Sequence, residues 1–362
     1  MTAPLKFSGV VLPDGEHRDL YVVDGHVTYE RPAGAETAAT GWLVPGLVDA
    51  HCHVGLGDEG AATDEETEQM AIEDRDCGAL LLRDCGAVND TTWVQRRDDL
   101  PRLIRAGRHI GRTRRYMRGF ADEVEPDGLL AAVAREAGRG DGWVKLVGDW
   151  IDREVGDLAP SFGADDFAAA IKVAHDHGAK VTAHCFGYDV LPGLINAGID
   201  CVEHGTGLTP DLVEAMVEHG TALVPTVRQL DIFPELAEQA GAKFPEYGAT
   251  MSDLYARRRE TIMNAYEAGV AIYAGSDGAA RRAHGVLPEE MLAMHGLGLP
   301  AEYVLGAASW KGREWLGWNP GLAEGDPADF VVYDADPLAD LTVVARPSVV
   351  VLRGVVYGGP AA

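Results

Sequence analysis

The chain has 362 residues, of which 46% are hydrophobic and 24% are charged, and these shares are typical of a globular protein. Its formal net charge of −26 excludes a nucleic-acid partner, because phosphate backbones require a basic surface. We expect a soluble cytoplasmic protein without a membrane partner, since no apolar run reaches about eighteen residues and no basic-apolar leader is present. The 5 cysteines show no CxxC spacing and are expected to be reduced.

Both chain ends carry patterns typical of short β-strands. Within residues 1–40, an apolar run at 20–23 continues through Asp24 and Gly25 into a second run, which is the pattern of a hairpin. Within residues 320–362, turn residues separate three β-rich runs, at 330–333, 349–352 and 355–357. We therefore predict one small β-sandwich domain built from residues 1–40 and 320–362.

Between these ends, short apolar runs alternate with helix-like segments. The runs lie near 43–50, 79–83, 108–117, 143–147, 180–184, 199–203, 221–225 and 270–274. Strands that are apolar on both faces and alternate with helices are typical of a parallel sheet covered by helices. Eight such units over this length predict an α/β fold, a (β/α)₈ TIM barrel over residues 41–319.

Two histidines follow the first run. In a strand His51 and His53 point to one side and Cys52 to the other, so both imidazoles can bind one divalent metal. Two histidines in a turn are the alternative for this motif alone.

Later strand ends supply further metal-competent groups. Lys145 lies in the fourth apolar run, His184 ends the fifth, His204 follows the sixth, and Asp277 follows the eighth. A buried lysine loses its charge readily, and its neutral amine can form a carbamate that bridges two metals. A lysine that extends to the barrel rim is the alternative. Active sites of this fold are built at the carboxyl ends of several strands, and these donors suit zinc.

The order of these groups resembles the amidohydrolase superfamily, in particular its imidazolonepropionase-like and Xaa-Pro dipeptidase-like branch. The segments that carry the resemblance are VPGLVDAHCHVG, LLRDCGA, WVKLVG, VTAHCFG, CVEHGTGL and AGSDG, followed by GLAEGDPADFVVYDADPL near the C-terminus. Many relatives have a glycine-histidine pair after the third strand, whereas this chain has Arg118, Gly119 and Phe120.

The resemblance implies a binuclear centre with two divalent ions, zinc for preference. It implies that His51, His53 and Asp277 bind the more buried ion and that His184 and His204 bind the other. It also implies that Lys145, as N6-carboxylysine, bridges the two ions together with a hydroxide.

The predicted activity is hydrolysis of an amide-like C–N bond in a small molecule, such as a dipeptide, an N-acyl amino acid or a cyclic amide. Asp277 is the predicted catalytic residue, which takes a proton from water and delivers it to the leaving amine. The alternatives are a deaminase, a carbamate or ester hydrolase, and a non-catalytic scaffold. Homo-oligomerisation stays open.

Four further residues are candidates for substrate binding. Arg228 follows the seventh run and can bind a carboxylate through two hydrogen bonds, and an arginine on a surface loop is the alternative. His284 follows Asp277 and can donate a hydrogen bond to a substrate carbonyl. Tyr188 and Trp150 follow strands and are candidates for the pocket wall, although such aromatic residues are more often explained by packing.

Overall fold

The computed structural model of the protein describes residues 3–279 and 283–358. The chain begins with four strands: β1 (Leu5–Val11), β2 (Glu16–Val23), β3 (His26–Thr28) and β4 (Glu36–Pro45). β1 lies between β2, to which it is antiparallel, and β4, to which it is parallel. The hairpin predicted around Asp24 and Gly25 is confirmed, because β2 pairs with β3 across these two residues.

The middle of the chain supplies the barrel strands and several short hairpins. These elements are β5 (Leu47–Cys52), β6 (Leu56–Gly57), β7 (Gly60–Ala61), β8 (Ala79–Asp84), β9 (Arg102–Arg105), β10 (Ile110–Arg112), β11 (Asp122–Val124), β12 (Trp143–Val147), β13 (Asp149–Asp152), β14 (Asp157–Pro160), β15 (Lys180–Cys185), β16 (Cys201–His204) and β17 (Ala222–Val224). Every residue of β5, β8 and β12 is buried, because side chains fill the barrel inside and helices cover it outside.

The helices are α1 (Asp64–Asp76), α2 (Leu129–Arg139), α3 (Ala164–Asp176), α4 (Leu191–Asn196), α5 (Pro210–His219), α6 (Phe233–Ala240), α7 (Pro245–Ala268), α8 (Leu287–Leu297), α9 (Ala301–Ala307) and α10 (Trp310–Trp315). α1 begins after Thr63, whose side chain accepts from the Glu66 backbone while the Glu66 side chain accepts from the Thr63 backbone. Over the described ranges, no helix combines the length and the apolarity needed to cross a bilayer.

Two groups of parallel strands form the barrel wall. One group is β5, β8 and β9, and the other runs from β10 through β12, β15 and β16 to β17. Residues 271–278 connect the two groups. On one side Tyr273 N donates to Leu223 O of β17, at 3.0 Å, and on the other Asp277 N donates to His51 O of β5, at 2.7 Å. The predicted barrel is confirmed, with these residues as its eighth strand.

The third barrel strand differs from the predicted run at 108–117. It begins earlier and is broken in two: β9 pairs with β8, and β10 pairs with β12. Gly107 lies in the break with a φ of 71°, a left-handed conformation that interrupts an extended strand. The strand ends at Arg112, and Arg114 has a φ of 61° in the turn that follows. The predicted residues 113–117 are therefore loop.

The chain ends with strands β18 (Phe330–Tyr333), β19 (Val349–Leu352) and β20 (Val355–Gly358), which join the N-terminal strands in one seven-stranded sheet. β18 pairs antiparallel with β4, so both chain ends build this small β domain, as predicted. Its core includes Phe7 and Phe330, whose ring centroids are 4.9 Å apart. The predicted domain boundary after residue 40 falls inside β4, and the division into domains stays a prediction.

Candidate metal centre

The carboxyl ends of the barrel strands surround a cavity of about 590 Å³. Five of the six predicted metal ligands line it, and they come from four different strand ends: His51, His53, His184, His204 and Asp277. The sixth, Lys145, is 3% exposed within β12, where its backbone pairs with Thr182 of β15. Residues that are far apart in the sequence are therefore gathered at one barrel mouth.

Three of these side chains form a nearly equilateral triangle. His51 Nε2 lies 3.2 Å from His53 Nε2 and 3.2 Å from Asp277 Oδ1, and His53 Nε2 lies 3.2 Å from Asp277 Oδ1. Tetrahedral zinc with bonds of about 2.0–2.1 Å holds its ligand atoms about 3.3 Å apart. The spacing of the triad thus fits a single divalent ion.

The hydrogen bonds on the far side of both rings support this fit. His53 Nδ1 lies 2.9 Å from Gly86 O, an acceptor, so Nδ1 carries the proton. His51 Nδ1 lies 2.7 Å from the carboxylate of Glu203. In the neutral imidazoles both Nε2 atoms are then acceptors that face the Asp277 carboxylate. A cation is the partner that satisfies three converging acceptors.

The charge of Asp277 fits the same arrangement. Burial alone would raise the pKa of its carboxyl, but positive charge on the His51 ring, which stands in the place of a cation, and hydrogen bonds from protonated His51 and His53 outweigh burial and hold that pKa well below its usual range. Asp277 is therefore ionised at neutral pH, as a metal ligand must be.

A second group of donors lies beside the triad. The rings of His184 and His204 have centroids 4.7 Å apart, and His204 is 5.3 Å from His51. His204 Nδ1 lies 2.6 Å from Thr226 Oγ1, which leaves its Nε2 for another partner. His184 Nε2 is buried and has no hydrogen-bond partner among the described residues. Burial and the nearby Lys145 hold the pKa of His184 well below its usual range, so its ring is neutral.

Three residues at these strand ends have left-handed backbones. The φ angles are 66° for His204, 54° for Asp277 and 44° for Thr226. Such conformations are costly for residues other than glycine, and they persist at functional sites where the surroundings enforce them. In β16, the side chains of Cys201 and Glu203 point to the same side of the strand, so continued alternation would point His204 to the opposite side. The left-handed turn instead directs the His204 ring into the cavity.

Below the triad lies a buried ion pair that the sequence analysis did not find. Glu203 and Arg83 are both 0% exposed, and Arg83 Nη2 lies 2.6 Å from Glu203 Oε1. Thr182 also donates to this carboxylate. Burial would raise the pKa of Glu203, but Arg83 and His51 hold it well below its usual range. The sequence did contain a signal for this pair, because Arg83 and Glu203 are charged residues inside apolar strands. The same signal led to the prediction for Lys145.

His109 is a second residue that the sequence analysis missed. It lies between β9 and β10, is 1% exposed, and neither ring nitrogen has a hydrogen-bond partner among the described residues. Its ring contacts those of His53 and Tyr116, with centroids 5.9 Å and 5.3 Å apart. A Cβ at Gly86 would lie 2.6 Å from His109 Nδ1, so the close packing here requires glycine.

Of the candidates for substrate binding, Trp150 lines this cavity, whereas Arg228, Tyr188 and His284 lie outside it. Arg228 Nη1 pairs with Glu289 at 2.8 Å, and the neighbouring Gln229 lines the cavity instead. Tyr188 is 50% exposed and lines a separate depression of about 190 Å³ beside Asp157. Their roles in substrate binding stay predictions.

His284 occupies an intermediate position. Its Nδ1 lies 2.7 Å from Asp74 Oδ2 of α1, and its Nε2 is buried without a partner in the described chain. It lines a cavity of about 490 Å³, which shares Gly57 and Ala279 with the cavity above the triad. His284 therefore borders the candidate centre from the side, and its predicted contact with substrate stays a prediction.

Comparison with known proteins agrees with this geometry. The sequence model of the amidohydrolase family matches residues 42–358. An uncharacterized protein of Mycobacterium tuberculosis (strain H37Rv) is 52% identical over 98% of this chain and 96% of its own length, and one of Mycobacterium bovis is equally similar.

Solved structures with the same fold include two hydrolases. A Xaa-Pro dipeptidase with bound methionine superposes with a TM-score of 0.82 at 22% identity, covering 99% of this chain and 100% of that one. The ochratoxinase of A. niger has a TM-score of 0.81 at 19% identity, covering 99% and 96%. With the matched family model, these findings confirm the predicted superfamily: the chain belongs to the amidohydrolase family.

Proposed function

We propose that this protein hydrolyses an amide-like C–N bond of a small molecule with the help of two divalent metal ions, zinc for preference. The observation that carries the proposal is the triangle of His51, His53 and Asp277, with all three atom pairs 3.2 Å apart. His184, His204 and Lys145, the latter as its carbamate, would complete the binuclear centre.

When bound there, the two ions would lower the pKa of water and polarise the substrate carbonyl. The residues of the chain supply proton transfer and orientation. The Asp277 carboxylate accepts the proton that water loses as its oxygen adds to the carbonyl carbon. The same carboxyl then protonates the nitrogen as the C–N bond breaks, so the products are a carboxylic acid and an amine.

Two contacts keep the ligands ready for this chemistry. Glu203 holds His51 through Nδ1, and Gly86 O holds His53 in the same way, so both Nε2 atoms stay directed at the centre. A histidine ligand fixed by its second nitrogen is the usual arrangement of functional metal sites. A scaffold protein would not require these converging acceptors, and we therefore favour the hydrolase.

Asp277→Asn provides the test. We expect turnover to fall by about 10²–10⁴-fold, which is the usual contribution of a general base and acid, while most of the metal remains bound. Metal content would be measured by elemental analysis, and turnover by a screen of dipeptides, N-acyl amino acids, lactams, carbamates and esters with and without a chelator.

Asp189→Asn is the matched control, because Asp189 lies in the separate depression beside Tyr188. It should leave both measurements unchanged. Unchanged turnover in Asp277→Asn would overturn the role of this residue. Absence of metal from protein produced with added zinc would overturn the proposed function.

A further inference from the structure

The loop after the third barrel strand brings Tyr116 to the cavity above the triad. β10 ends at Arg112, and the left-handed backbone of Arg114, with a φ of 61°, turns the chain just beyond it. The Tyr116 side chain then lines the cavity together with the candidate ligands. Its ring centroid lies 5.9 Å from that of His184. Tyr116 is therefore a neighbour of the candidate centre, although it follows a strand that supplies none of the predicted ligands.

Three rings hold the ring of Tyr116 edge to face. The centroids of His109 and Trp150 lie 5.3 Å and 4.7 Å from it, with angles of 82° and 64° between the planes. His184 is the third neighbour, at an angle of 73°. Edge-to-face contact is a favoured arrangement of aromatic pairs. These contacts fix the ring at the edge of the cavity.

The neighbouring Arg115 fixes the backbone of the same loop. Its Nη1 donates to Asp152 at 2.6 Å, and its Nη2 donates to Ala159 O at 3.0 Å. Asp152 belongs to β13 and Ala159 to β14, so one side chain ties the loop to both strands of this hairpin. A group that stabilises charge in a transition state is most effective when it is held in place beforehand. Tyr116 meets this condition.

The hydroxyl of Tyr116 is available to a ligand. It makes no hydrogen bond within residues 3–279 and 283–358. A tyrosine hydroxyl has an ordinary pKa of about 10, so it keeps its proton at neutral pH and can donate a hydrogen bond. Burial and the charge of Asp277 raise the pKa of this hydroxyl further, so the hydroxyl and the carboxylate occupy the same part of the cavity.

The other polar groups named at this cavity are acceptors. The triad presents the Nε2 atoms of His51 and His53 and the carboxylate of Asp277. Gln229 Oε1 is a further acceptor, which is buried without a hydrogen-bond partner in the described part of the chain. The N–H group of an amide can therefore find an acceptor here, whereas its carbonyl oxygen requires a donor or a cation.

We propose that the Tyr116 hydroxyl donates a hydrogen bond to the carbonyl oxygen of the substrate and is a further catalytic residue. This inference rests on the proposed function and deepens it. As the oxygen of water adds to the carbonyl carbon, the C=O bond becomes a single bond to a negatively charged oxygen, and the hydrogen bond from Tyr116 strengthens. Tyr116 keeps its proton throughout, so the proton transfer from water through Asp277 to the leaving amine is unchanged.

Tyr116→Phe provides the test, because it removes the hydroxyl and keeps the ring. We expect kcat to fall by about 10²-fold. KM and zinc content should stay close to those of the wild type, because the lost contact is stronger in the transition state than with bound substrate. Kinetics would be measured with the best compound of the hydrolysis screen, and zinc by elemental analysis. An unchanged kcat, or a loss of zinc from the variant, would overturn the inference.

Binding of inorganic phosphate gives a readout that requires no turnover. Phosphate is a tetrahedral oxyanion and resembles the charge that develops on the carbonyl oxygen. Calorimetry with the zinc-loaded proteins should show about tenfold weaker binding to Tyr116→Phe than to the wild type. If the wild type hydrolyses no compound but this difference is found, the proposed function fails and Tyr116 stands as an oxyanion donor. Equal binding by the two proteins, or no binding by the wild type, would overturn the inference.

Tyr333→Phe is the matched control. Tyr333 is completely buried in β18, and its hydroxyl also has no hydrogen-bond partner among the described residues, but it does not line the cavity. Its loss should leave kcat, zinc content and phosphate affinity unchanged. A similar fall in this variant would mean that the loss of a buried hydroxyl elsewhere has the same effect, which would contradict the specific role of Tyr116.

Discussion

Glu203 and Arg83 form an ion pair inside the barrel directly below the candidate centre, and both side chains are completely buried. Buried ion pairs seldom add net stability, because desolvation offsets the attraction between the charges. The Arg83 guanidinium also lies over the Trp143 ring, at 4.5 Å from its centroid. The pair is therefore better explained by orientation: Arg83 fixes Glu203, and Glu203 fixes the ring of His51.

The variant Glu203→Gln should show whether Glu203 acts on metal affinity, by orienting His51, as well as on the stability of the fold. The amide is a poorer partner for His51 Nδ1 and leaves the Arg83 charge uncompensated. We expect the affinity for the metal ion at the triad of His51, His53 and Asp277 to fall by about 10–100-fold. We expect the free energy of unfolding to fall by about 3–5 kcal/mol. Zinc titration against a competing chelator and urea denaturation would measure the two effects.

Glu136→Gln is the matched control for this prediction. Glu136 is also buried, accepts from Arg108 N at 2.9 Å and pairs with Arg135, but it lies on α2 away from the centre. It should lower stability without changing the affinity for zinc. A Glu203→Gln protein that binds zinc as tightly as the control would overturn the orienting role.

At the scale of elements, the ends of the last three barrel strands share a device. Asp277 and His204 direct their side chains to the centre from left-handed backbones, and Thr226 uses the same conformation to reach His204. Each strand thus ends in a turn that redirects one side chain, which explains how groups from separate strands converge.

Thr226→Val tests this device while keeping the shape of the side chain. The hydroxyl that contacts His204 Nδ1 is lost, so a buried N–H group remains without an acceptor, at a cost of about 1–3 kcal/mol. We expect the metal ion that His184 and His204 would bind to be held about 10–100-fold more weakly. Thr226→Ser, which keeps the hydroxyl, should bind close to two ions. Two tightly bound ions in Thr226→Val would contradict the prediction.

The sequence predicted the elements best where a run was apolar throughout. The fourth run, at 143–147, has the bounds of β12, because every residue of this strand is buried. The prediction of one strand at the third run was wrong because Gly107 breaks this strand. Its two halves stay in the barrel wall because β9 pairs with β8 and β10 pairs with β12, and such pairing is a property of the tertiary structure.

The same distinction applies to the candidate centre. His51 and His53 were predictable because His51 lies in β5 and His53 follows the last residue of this strand, so the alternation of the strand puts both on one side. The partner of Arg228 was not, because Glu289 comes from α8 and its position depends on how that helix packs against the barrel. Gln229 was missed for a similar reason, since nothing in the local sequence indicates an unpaired buried amide.

At the scale of the whole molecule, the acidic composition extends into the interior. Burial raises the pKa of Asp49, Asp84 and Asp149 to about 7 in each case. Glu290 is completely buried, and burial raises its pKa to about 8 although the backbone N–H groups of residues 227 and 228 oppose this rise. These carboxyls bind protons more tightly in the folded protein than in the unfolded chain.

The sign of the resulting pH dependence follows from proton linkage. Between the ordinary carboxyl pKa of 4.5 and the folded value of about 8, Glu290 is ionised in the unfolded chain but protonated in the fold. The unfolded state then binds fewer protons, so the stabilisation is complete below pH 4.5 and is lost as the pH rises towards 8. Each pH unit within this window lowers the free energy of unfolding by about 1.4 kcal/mol for this group alone.

Glu290→Gln should therefore flatten the fall in stability as the pH rises from about 5.5 to 7.5, because glutamine cannot ionise. Urea denaturation at several pH values would measure the slope for the variant and the wild type. Repeating both series in about 1 M salt is the control, since salt screens the repulsion among surface carboxylates but not the titration of a buried group. If the difference in slope between the two proteins disappears in salt, it arises from surface repulsion and the assignment to Glu290 is wrong. If it persists, the buried carboxyl carries the pH dependence.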